Sequence, residues 1–76
     1  MNYFLFKMLK TQAEADKQKA LLTLELLGNH PAGIGDHSTG DFYYNANEAL
    51  EMLVDANDKI EMLDKLHADT SNGKSI

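Results

Sequence analysis

Phe42, Ala46, Ala49, Leu53, Ala56, Ile60 and Leu63 follow one another at alternating steps of four and three residues without a break. A strand turns successive side chains to opposite faces, so this rhythm excludes a sheet over the segment. It requires a helix that keeps one line of side chains against a partner helix. Three of the seven positions are alanine, which lets that partner come close.

The partner is available in the first half of the chain. From Asn2 to Leu27 there is no glycine or proline, and alanine, leucine, lysine and glutamine dominate, all good helix formers. Asn2 is a candidate N-cap, and Gly28 followed by Asn29 and Pro31 is a stop signal, because glycine accepts the left-handed cap conformation and proline cannot continue the ladder. Ser38-Thr39-Gly40-Asp41 opens the second helix, with a hydroxyl and a carboxylate placed to satisfy orphan amides reciprocally. The expected fold is all-α, an antiparallel two-helix hairpin in one domain over 1–68. Its helices cover about 2–28 and 40–67 and its connector covers 29–39, followed by a flexible polar tail over 69–76.

Helix 1 is apolar on two sides. At about 100° per residue, Phe6, Leu9, Ala13, Ala20, Leu24 and Leu27 share one face, while Phe4, Met8, Ala15, Leu22 and Leu26 share nearly the opposite one. The second helix carries a flanking stripe of Tyr43, Leu50 and Val54. One hairpin contact cannot cover all of these. A chain of 76 residues also buries only about 60% of the surface it exposes when unfolded, and with no cysteine it has no disulfide to compensate. Two hairpins assembling as a dimeric four-helix bundle resolve both problems, with Phe4, Met8, Ala15, Leu22, Leu26, Tyr43, Leu50 and Val54 at the interface.

The formal net charge is −5 and every basic residue is lysine, so the arginine forks and basic patches that serve nucleic-acid recognition are missing. No apolar run approaches the roughly 20 residues that span a bilayer. The N-terminal run "MNYFLFKMLK" has no basic residue before it and no small-residue cleavage site after it, which argues against a signal peptide. Its polar side offers only Lys7 and Lys10 to a membrane surface. These features predict a soluble cytoplasmic protein that engages neither nucleic acid nor membrane.

Chemistry, if present, belongs to the connector. His30, Asp36 and His37 supply imidazole and carboxylate groups that bind transition metals or move protons near neutral pH, and Asp41 or Glu48 would extend the set. Their spacing matches no established metal signature, and local backbone capping by Asn29, Asp36 and Ser38 accounts for the same residues. Gly33, Gly35 and Gly40 are followed by no Lys-Ser/Thr pair, which removes a phosphate loop. In "DANDKIEMLD" Lys59 and Ile60 occupy positions where a calcium loop needs an oxygen ligand and a glycine. The adjacent Asp36, His37 and Ser38 cannot converge as a triad. The reading is a non-enzyme without a cofactor, acting through self-association and protein contacts. Metal or small-ligand binding at His30, Asp36 and His37 is the alternative. Ile34 gives the connector an apolar anchor, so it is expected to fold back as an ordered cap.

Over "LLTLELLGNHPAGIGDHSTGDFYYNANEALEMLVDA", about half of the chain, the sequence resembles small accessory proteins of marine T4-like phages, notably those that infect cyanobacteria. The connector carries most of that resemblance. It implies a phage-encoded or metagenomic accessory protein working in the host cytoplasm, with a host or virion protein as a possible partner, and it brings no catalytic residues with it.

Overall fold

The computed structural model describes residues 1–29 and 39–71, which form two helices, α1 (Tyr3–Asn29) and α2 (Thr39–Ser71), packed against each other. α1 begins where the sequence places its cap. The Asn2 Oδ1 accepts hydrogen bonds from the backbone N–H groups of Phe4 at 2.8 Å and Leu5 at 3.1 Å, while the Asn2 carbonyl accepts the N–H of Phe6 at 2.9 Å. Three donors at the helix start are thereby satisfied. The helix runs through Gly28, which is exposed and has no atom within 4 Å of where a side chain would begin, and ends at Asn29.

α2 extends to Ser71 instead of stopping near His67, so residues 69–71 are helical and do not belong to a tail. The reason lies in the local sequence: Ala68-Asp69-Thr70-Ser71 contains no breaker, and the first glycine comes at Gly73. Nothing before that point stops propagation of the backbone ladder. Asn29 and Thr39, the ends of the expected connector, close α1 and open α2, and residues 30–38 and 72–76 lie outside the described residues.

Among the described residues the core of the hairpin is six side chains: Phe6, Ala13 and Ala20 from α1 and Ala49, Ala56 and Leu63 from α2. Each set repeats every seven residues, so each helix contributes one buried side chain per two turns. Phe42, Ala46, Leu53 and Ile60 are half-buried beside them, which puts the whole 4-3-4-3 line of α2 against α1. Leu24 and Leu27 are half-buried as expected, but Leu9 is exposed. Alanines hold the seam together at its middle, and the larger rings of Phe6 and His67 fill one end. Lys17 is half-buried at the same seam, with its alkyl stem available to cover apolar surface.

Lys10 and Asp64 bridge the helices at 2.7 Å. The bridge fixes which broad face of the hairpin each flanking residue occupies. Asp64 holds the Lys10 ammonium above its ordinary pKa, chiefly through that hydrogen bond.

Candidate functional site

The chemistry-bearing groups that the fold brings together lie at the end of the hairpin away from the connector. The Phe6 ring stacks on the His67 imidazole at 4.2 Å and 15°, and Tyr3 approaches the same imidazole at 6.4 Å. The Lys10 ammonium lies 5.7 Å from the Phe6 ring centre, and Lys7 lies 5.9 Å from that of Tyr3. His67 Nδ1 is buried and meets no hydrogen-bond partner among the described residues. Rings rather than a carboxylate pack against this imidazole. The cluster closes the end of the core. Sequence reading did not single out His67, and its one available signal was its place four residues after Leu63, continuing the seam.

Among the described residues no group of three histidine, cysteine, aspartate or glutamate side chains is placed to hold a metal ion. His30, Asp36 and His37, like Ile34 and the glycines at 33 and 35, lie outside the described residues. Of their possible co-ligands, Asp41 and Glu48 are exposed. Glu48 accepts a hydrogen bond from the Tyr44 hydroxyl, which pushes the Tyr44 pKa up.

All eight residues expected at an interface are exposed, but they do not form one patch. Phe4, Met8, Ala15, Leu22 and Leu26 lie about 140–180° around α1 from the buried line of Phe6, Ala13 and Ala20, on the side turned away from α2. Phe4 is 77% exposed, Met8 55%, Leu22 56% and Leu26 52%. Tyr43, Leu50 and Val54 lie about 120–160° around α2 from the buried line of Ala49, Ala56 and Leu63, on the side turned away from α1, while Leu21 lies about 20° from Lys10 around α1, on the broad face that carries the Lys10–Asp64 bridge. The other broad face holds an open cleft of about 340 Å³, formed by Leu9, Ala13, Met62 and Leu63 with Gln12, Asp16 and Lys59 as its polar members. This is where Leu9 goes instead of into the seam.

No family model, curated protein or solved structure matches the chain. Among the described residues, no helix is long and apolar enough to cross a membrane.

Proposed function

We propose that the protein is a self-associating helical hairpin, two copies of which make a four-helix assembly, and that it acts through protein contacts rather than chemistry. One observation carries this reading. The outer side of α1 presents Phe4, Met8, Leu22 and Leu26 to solvent, while the hairpin's own core among the described residues consists of six side chains, four of them alanine. Among the described residues, large apolar groups therefore lie outside a core built mostly of small side chains. An alanine that is buried gains far less than a leucine or phenylalanine, about 0.8 kcal/mol per methylene-sized group. Removing the outer line from water is a stabilisation that the hairpin contact leaves unused.

The resemblance to accessory proteins of marine phages fits a small acidic chain with lysine as its only strongly basic residue. In that setting the assembly works in the host cytoplasm, with a host or virion protein as a further partner. Light scattering of the wild type and of Leu22→Asp and Leu26→Asp tests the reading. The wild type is expected at twice the chain mass, and each aspartate variant as a monomer or an unfolded chain. A wild type that is a stably folded monomer at low micromolar concentration, with both variants tolerated, overturns it.

A further inference from the structure

The cleft on the broad face opposite the Lys10–Asp64 bridge has an apolar floor that no described residue covers. Leu9 and Ala13 from α1 meet Met62 and Leu63 from α2 there, around a volume of about 340 Å³. That is the lower end of the roughly 300–1,000 Å³ of small-molecule pockets, which also close over most of their ligand. This cleft is open, so it suits a side chain carried in by a partner. Met62, 55% exposed, supplies the adaptable thioether that recurs at such surfaces.

Charge defines that partner. Tyr44, Glu48, Glu51, Asp55, Asp58 and Met62 follow along α2 at alternating steps of four and three residues. All are exposed, and they lie about 80–160° around α2 from its buried line, on the side where Met62 enters the cleft. The stretch from Glu48 to Met62 spans about 21 Å. None of its four carboxylates makes an ion pair among the described residues, and carboxylates three and four residues apart repel one another. Their field is evident at Tyr44, whose pKa is pushed up by its hydrogen bond to Glu48 and by the charges of Glu48 and Glu51. On the far wall of the cleft, the half-buried Asp16 accepts a hydrogen bond from Gln12 at 3.3 Å and adds a further carboxylate. Lys59 is the one cationic side chain among the residues that form the cleft.

A partner seated here therefore carries positive charge, and phosphate-bearing partners are repelled. A second copy does not supply the match, because no three lysines of this chain fall at steps of three or four residues, and Lys10 is already taken by Asp64. The occupant is a helix of a different protein. Laid along α2, its basic side chains repeat at the same steps as the carboxylates, and an apolar side chain at one end of the same face enters the cleft.

We propose that this broad face is a docking surface for a lysine- or arginine-rich amphipathic helix of another protein, with the row from Glu48 to Asp58 pairing its basic side chains and the cleft at Leu9 and Met62 taking its apolar anchor. This rests on the reading that the protein acts through protein contacts, and adds the chemistry of one partner. The surface shares no residue with Phe4, Met8, Ala15, Leu22, Leu26, Tyr43, Leu50 or Val54, so it stands whether the protein is a dimer or a monomer.

The probe is a synthetic helical peptide of about 15 residues, the length of the row, with lysines at steps of three and four and leucines at one end of the same face. It is titrated into the isotope-labelled full chain at low salt and followed by amide NMR. Shifts are expected at Glu48, Glu51, Asp55 and Asp58 and around Leu9 and Met62, with a dissociation constant that rises with salt because exposed pairs are screened. Glu51→Gln and Asp55→Asn are each expected to weaken binding about 1.5- to 5-fold, and alanine in place of the peptide's leucines to weaken it about tenfold. Glu25→Gln, on the outer side of α1, leaves it unchanged. Circular dichroism checks that each variant keeps its helices. A peptide whose leucines are dispensable is held by charge alone and overturns the docking site. Absence of binding at low salt, or shifts that fall on Phe4, Met8, Leu22 and Leu26, overturns it too. Sedimentation of the same samples reads self-association separately: a monomer that binds the peptide in the expected pattern refutes the dimer and leaves the docking surface standing.

Discussion

Ala20 has no exposed surface at all, and replacing it with leucine tests whether alanines set the distance between the helices. The added branch brings three carbons. If the seam had room, burying them would stabilise the fold by about 0.8 kcal/mol each. With α2 closed over the position, there is no space to receive them, and overpacking of a tight site costs about 1–3 kcal/mol. For a domain of this size each kcal/mol moves the melting temperature by about 4–8 °C, so Ala20→Leu is expected to lower it by about 4–24 °C. Ala68→Leu, at an exposed position of α2, is the control and stays within about 0.5 kcal/mol of wild type. The assay is thermal unfolding followed by circular dichroism at one fixed protein concentration, because association makes the midpoint depend on concentration. An Ala20→Leu variant that melts at or above the wild-type temperature refutes the reasoning: the helices would not be in close contact at Ala20.

The helix caps, the aromatic end and the interhelical bridge give three further expectations. Asn2→Ala removes the acceptor for the Phe4 and Leu5 amides and costs about 0.5–2 kcal/mol, read as faster hydrogen exchange at those two amides. His67→Phe keeps a ring against Phe6 and eliminates the unpartnered buried Nδ1, so it raises stability by up to about 1–3 kcal/mol in denaturant melts; a loss of stability contradicts the packing role. Because Lys10 and Tyr44 have pKa values above their ordinary ones in the fold, their stabilising contributions are complete below the unfolded-state values, about 10 to 10.4. They are lost as pH rises through the folded-state values. Urea melts from neutral to strongly alkaline pH should show that loss, and Lys10→Gln with Tyr44→Phe should flatten it.

The two helices were legible because their signals are local. The 4-3-4-3 line of α2 and the Asn2 cap each predict what forms, and both match the contacts observed. Leu9 was misplaced because a wheel gives direction and not distance: it points toward the seam yet lines an open cleft with Met62. The aromatic end was hidden because the apolar line was ended at Leu63, and His67, four residues on, is not an apolar residue type. That the α1 and α2 interface residues point different ways was equally hidden. Each helix's stripe has a legible angle from its own seam, but the side on which the two seams meet is fixed by tertiary contacts such as Lys10–Asp64. The connector residues His30, Asp36 and His37 lie outside the described residues, and the account of the assembly does not depend on them.

Self-association is the central claim, and sedimentation equilibrium of the wild type across a dilution series, with helicity measured on the same samples, tests it most directly. The expected result is a species of twice the 8.5 kDa chain mass that loses helicity as dilution splits it, because folding and assembly are then coupled. A species of single-chain mass whose helicity is the same at every concentration would contradict it.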